Sequence, residues 1–141
     1  EFNNIFCTSY LGETDKNEIL DINDFCLIIM NPGQLYMLKQ FGEKKVVCLD
    51  GTHRLNGYDF ELVTLLVIDD YGSGFPCCFM FTNLKDTKVY TVMFSAIKTR
   101  TGIISLNTFM TDIVDTFYTA WVRIMGPVPH NILCSWHVDK A

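Results

Sequence analysis

The chain has 141 residues, enough for one domain, and with 49% apolar and 13% aromatic residues it can build a sizeable core. A formal charge of −5 argues against gripping nucleic acid by bulk electrostatics, so any DNA contact must be local or supplied by basic segments elsewhere in a longer protein. No apolar run reaches the roughly 18 residues of a membrane span, so no membrane association is expected.

Residues 1–23 carry the weakest pattern. Asn3 to Tyr10 reads as a strand and Gly12 to Glu18 as a polar loop. No basic segment followed by an apolar run opens the chain, so no secretory signal is expected, and a start at Glu1 without Met suits a fragment of a longer protein. Phe25 to Met30, FCLIIM, fits a buried strand. Asn31 to Gly42 then carries a helix signature: Asn31 as N-cap, Pro32 at the first helical position, Gln34 where a capping box places it, and Gly42 as the stop. Leu35, Leu38 and Phe41 are expected on its buried face.

Lys44 to His53, KKVVCLDGTH, predicts a core strand that ends on a carboxylate, Asp50, before Gly51 breaks it. Tyr58 to Ile68 predicts a long second strand, Asp69 to Gly72 a turn, and Phe75 to Phe81 a third strand whose Pro76 is tolerated near its start. Short turns between them predict an antiparallel meander. From Asp86 to Lys98 the period becomes helical, with Val89, Val92, Met93, Ala96 and Ile97 on one face. Asn107 to Thr111 is a short strand reaching Asp112; Asp115 to Met125 is a second amphipathic helix, stopped by Gly126-Pro127; Asn131 to Cys134 is a last short strand. Cys7, Cys26, Cys48, Cys77, Cys78 and Cys134 lie mostly in apolar runs, which suits reduced, buried thiols of an intracellular protein better than a disulfide framework.

After an N-terminal lead-in over residues 1–43 (strand plus helix), the order is therefore three strands, helix, strand, helix, strand. That order predicts an RNase H-like α/β fold, a mixed sheet with helices on both faces. In such a layout Asp50 and Asp112 end neighbouring strands. Two converging carboxylates repel unless a cation lies between them, and hard divalent ions such as Mg²⁺ take one or two carboxylates plus water and phosphate oxygens. Two such ions about 3.5–4 Å apart serve in-line phosphoryl transfer.

The segments FCLIIMNPGQLYMLKQFG, VVCLDGTHRLNGYDFELVTLLVIDDYGSGFP, FMTD and LCSWHVDKA resemble the Mutator-like element (MULE) transposases, over about Phe25 to Ala141. The resemblance implies a DDE catalytic core over residues 44–141. Asp50 and Asp112 would be its first two acids and hold Mg²⁺ or Mn²⁺ in a two-metal site. Cys134 and His137 match the family's C/D-x-x-H motif and are expected to shape that site. It further implies transposon-end and target DNA as partners, a homo-oligomer in the full-length protein, and the nucleus as location. The family's third acid, a Glu, follows the C-x-x-H motif downstream, so residues 1–141 are expected to be incomplete at the C-terminus and inactive alone. A domesticated descendant that binds DNA or regulates without catalysis is the alternative, and an RNase H-like nuclease a third reading.

Other residues compete with plainer explanations. His53 either supports Asp50 or DNA, or caps a loop. Asp69 and Asp70 read as a solvated turn beside Gly72 and Gly74. Asp115 reads as a helix-start residue and Lys98 and Arg100 as a cationic helix end. Trp121 and Trp136 read as core. Without a second ligand pair, Cys134 and His137 do not make a structural zinc site.

Overall fold

The computed structural model describes residues 24–52, 60–111 and 115–133 and the backbone of residues 6–11. Along the chain these form β1 (Phe6–Leu11), β2 (Phe25–Met30), α1 (Pro32–Gly42), β3 (Val46–Thr52), β4 (Glu61–Ile68), β5 (Gly74–Thr82), α2 (Thr87–Thr101), β6 (Thr108–Thr111), α3 (Thr116–Met125) and β7 (His130–Leu133).

Local chemistry sets the helix ends. Asn31 Oδ1 accepts from the Gln34 N–H at 2.8 Å and Gln34 Oε1 accepts from the Asn31 N–H at 2.9 Å, closing the capping box with Pro32 in the first turn. The buried residues of α1 are Gln34, Leu38 and Gly42, while the expected Leu35 and Phe41 are only partly buried. Gln34 is drawn inward because its Nε2 donates to the Pro76 carbonyl at 3.1 Å. Gly42 is the last helical residue, not a left-handed cap beyond it. A Cβ there would press on Leu38 Cδ1 at 3.2 Å, so close packing, not backbone sign, calls for glycine. Asp86 caps α2 by accepting from the Val89 N–H at 3.1 Å.

The strands make one mixed sheet in the order β1-β2-β5-β4-β3-β6-β7. β3, β4 and β5 form the expected antiparallel meander, with a register shift between Leu65 and Leu66 opposite Pro76 to Cys78. β6 runs parallel to β3, and β7 parallel to β6. β2 pairs antiparallel with β5 and β1 with β2, so residues 1–43 contribute two strands and a helix to the same sheet.

One face of the sheet carries the core: Cys26, Ile28, Met30, Val47, Leu49, Val63, Leu65, Val67, Met80 and Phe109 are buried there. All three helices pack on that face. Position 42 of α1 lies against Val47, Tyr90 of α2 reaches Glu61, and Trp121 of α3 stacks on Phe109 at 5.5 Å. Helices on both faces were expected; among the described residues they occupy one. The physical reason is chirality. The parallel crossovers β5-α2-β6 and β6-α3-β7 step the same way across the sheet, and one hand puts both helices on one side. The alternate residues, including Leu27, Cys48, Leu62, Leu66, Phe79 and Met110, are half-buried on the other face.

Cys26, Cys48, Cys77 and Cys78 are thiols and not members of disulfides, as expected. Burial pushes Cys77 and Cys78 from the ordinary 9.0 up to about 12; for Cys78 the neighbouring Cys77 and Cys26 add to it, while for Cys77 a backbone hydrogen bond opposes it. The folded chain thus holds two protons that the unfolded chain releases above pH 9. Stability from this source is complete below pH 9 and is lost as pH rises toward 12. Urea titrations across that window are expected to show it falling, and Cys77→Ser/Cys78→Ser to flatten the slope.

Candidate active site

β3, β6 and β7 run parallel, so Thr52, Thr111 and Leu133 end them at one edge of the sheet. The starts of α2 and α3 lie at that same edge, because each helix follows a strand that ends there. In open α/β sheets the carboxyl ends of the strands are where ligands bind.

Asp50 is one of the described carboxylates at this edge, with Glu61, Asp86 and Asp115, and the one that a strand end presents on the face the described helices leave uncovered. Alternation along β3 buries Val47 and Leu49 and leaves Cys48 and Asp50 half-buried on the helix-free face. Asp50 pairs with Thr64 of β4. One step down the strand, Cys48 Sγ lies 3.8 Å from Met110 Sδ on β6, an apolar floor below the carboxylate. A half-exposed carboxylate suits a hard cation chemically, as an oxygen donor with room for water and phosphate oxygens. Among the described residues no three His, Cys, Asp or Glu side chains gather into a metal-binding group. Asp112, His53, Cys134 and His137 lie outside the described residues, as does Trp136.

The plainer readings hold elsewhere. Asp69 Oδ1 accepts from the Tyr71 and Ser73 N–H groups, both at 2.9 Å, and Gly72 takes φ 77°, so the Asp69–Asp70 pair belongs to a hairpin turn. Asp115 precedes α3 without a side-chain capping bond. Lys98 and Arg100 occupy the last turn of α2, at the sheet edge opposite Asp50. Trp121 is fully buried.

One residue of this region went unnoticed in the sequence. Glu61, the first residue of β4, is 1% exposed and alone among the described acids in being buried. It shares a face with Val63, Leu65 and Val67, the reverse side from Asp50. Tyr90 of α2 donates to its Oε2 at 3.0 Å. Its Oε1 fills the hollow left by the missing side chain of Gly51: a Cβ at that position would collide with Oε1 and stand 3.4 Å from Phe117 Cζ of α3. The Tyr90 and Phe117 rings close the hollow, with centroids 4.3 Å apart. The signal was an acid falling on the buried phase of an alternating strand. Glu61 faces away from Asp50 and cannot share a cation with it.

No described helix is long and apolar enough to cross a membrane. The family model of the MULE transposase domain matches residues 46–141, from the start of β3 to the last residue. No curated protein matches the chain.

Proposed function

Because the chain belongs to the MULE transposase family, we propose that it carries the catalytic core of a DNA transposase with an RNase H-like fold and Asp50 as its first metal-holding acid. The observation that supports this most is the register of the two parallel strands, Val46 with Thr108, Val47 with Phe109 and Cys48 with Met110. It brings the carboxyl ends of β3 and β6 side by side at the edge that carries Asp50. The β6–β7 register pairs Thr111 with Leu133, so β7 ends at that same edge. The strand order β5-β4-β3-β6-β7 with this parallel half is also the order that an RNase H-like core requires.

Asp50 and Asp112 would hold Mg²⁺ or Mn²⁺, which when bound polarises the phosphoryl oxygens and activates the attacking oxygen. In strand cleavage a water oxygen bonds to phosphorus and gives up a proton to solvent, while the bond to the 3′-oxygen breaks and that oxygen takes a proton from solvent to become the free 3′-hydroxyl. In strand transfer that 3′-hydroxyl oxygen bonds to a target phosphorus as the target's own bond from phosphorus to its 3′-oxygen breaks. The attacking hydroxyl gives its proton to solvent and the leaving oxygen takes one up, so one phosphodiester replaces another and a target 3′-hydroxyl is freed. The part of Asp50 is to present its oxygens toward the duplex from the face that no described helix covers. With a formal charge of −5, grip on the duplex must come from a few local contacts or from other parts of the full-length protein, including a second copy of it.

The test is strand cleavage by the full-length protein with Mg²⁺ or Mn²⁺, offered transposon-end duplex and RNA–DNA hybrid in parallel. Cutting of the DNA end with the hybrid intact is expected. Cutting of the hybrid would identify an RNase H-like nuclease instead, and binding of the DNA end without cutting would identify a domesticated, regulatory descendant.

A further inference from the structure

A carboxyl group in a sheet core loses its hydration, and a leucine would fill the same space without that penalty. Glu61 is nonetheless placed there, against the backbone of the residue that follows Asp50. Gly51 gives the strand end its greatest backbone freedom at the point where a metal-holding carboxylate needs the least. The hollow at Gly51 accepts the Glu61 carboxyl, Tyr90 fixes that carboxyl by a hydrogen bond at 3.0 Å, and Phe117 backs it from α3. Two helices are thereby keyed to the strand end that carries Asp50.

We infer that Glu61 is a positioning residue: seated in the Gly51 hollow and held by Tyr90, it fixes the direction in which Asp50 presents its carboxylate on the opposite face. The inference rests on the reading of Asp50 as a metal-holding acid. Partners that orient a metal-holding side chain typically change metal affinity by about 10- to 100-fold when removed.

The experiment is Mn²⁺ titration of the folded full-length protein, followed by the electron paramagnetic resonance signal of free Mn²⁺, with a thermal melt of each variant. Glu61→Leu and Tyr90→Phe are expected to weaken Mn²⁺ binding by about 10-fold or more. Glu61→Gln keeps the shape and an oxygen for the Tyr90 hydroxyl, and is expected to stay near wild type. Glu61→Leu leaves the buried Tyr90 hydroxyl without this acceptor and is expected to melt below wild type. If Glu61→Leu is not folded at the titration temperature, Tyr90→Phe, which changes one hydroxyl, decides alone. Wild-type affinity in Tyr90→Phe and in folded Glu61→Leu, with binding lost in Asp50→Ala, would make Glu61 a core filler and overturn the inference. Wild-type affinity in Asp50→Ala would instead overturn the metal-holding reading of Asp50.

Discussion

Asp50→Ala in the full-length protein is expected to lower strand cleavage of transposon-end DNA by about 10³-fold or more, equivalent to about 4 kcal/mol of transition-state stabilisation. The side chain is half-exposed on the helix-free face, so truncating it opens no cavity in the core. A thermal melt of the variant is expected to show it folded, so that the fall in rate reports chemistry, not unfolding. Asp50→Asn, which keeps the shape and removes the charge, is expected to fall as far, because a neutral amide is a poor ligand for a hard cation. Asp70→Ala, on the exposed hairpin turn, is the control that should change neither rate nor melting temperature. Turnover by Asp50→Ala within tenfold of wild type would remove Asp50 from the site.

Trp121→Ala is expected to destabilise the fold by about 3–5 kcal/mol. Trp121 is fully buried, with Phe94 of α2 edge-on at 5.1 Å and Phe109 of β6 at 5.5 Å. It thus joins α2 and α3 to β6. Against a typical total of about 5–15 kcal/mol this is a large share, and the melting temperature should drop by about 10 °C or more. Its indole N–H is buried with no hydrogen-bond partner among the described residues, so part of the loss is returned when the ring goes. For that reason Trp121→Phe, which keeps a ring and deletes the N–H, is expected to cost clearly less than Ala. A melt of Trp121→Ala within a few degrees of wild type would show that the α2–α3 seam repacks freely.

Much of this architecture can be read from single residues. Asn31, Pro32 and Gln34 announce α1 because an N-cap, a fixed φ and a reciprocal amide each satisfy a local need that no distant contact alters. The Asp69 turn is legible for the same reason; the end of β3 is not, since the strand runs on through Gly51, paired with Val63, to Thr52 instead of stopping at Asp50. What depends on partners is less so. Gly42 reads as a helix stop but serves close packing against Leu38 and Val47, which only the assembled layer reveals. The shared face of α2 and α3 follows from crossover handedness, a rule about strand order in space that a list of elements along the chain does not contain. Glu61 was hidden by reading Tyr58 to Ile68 as one apolar strand without separating its two phases; the phase shared with Val63, Leu65 and Val67 marks it as buried. Its bond to Tyr90, 29 residues later, has no sequence signal.

The sheet order also sets a timetable. β4 and β5 are joined by a tight turn and pair along their length, so that hairpin closes the shortest loop and β3 adds to it next. β2 must bring Ile28 to Met80, and β6 must bring Thr108 to Val46, each across half a hundred residues or more of chain. Long closures lose chain entropy before their contacts form and are reached late. The neighbourhood of Asp50 therefore acquires its second parallel strand near the end of folding. A newly made chain would hold a nearly complete meander, its acid already at the strand tip, well before that acid has anything to work with.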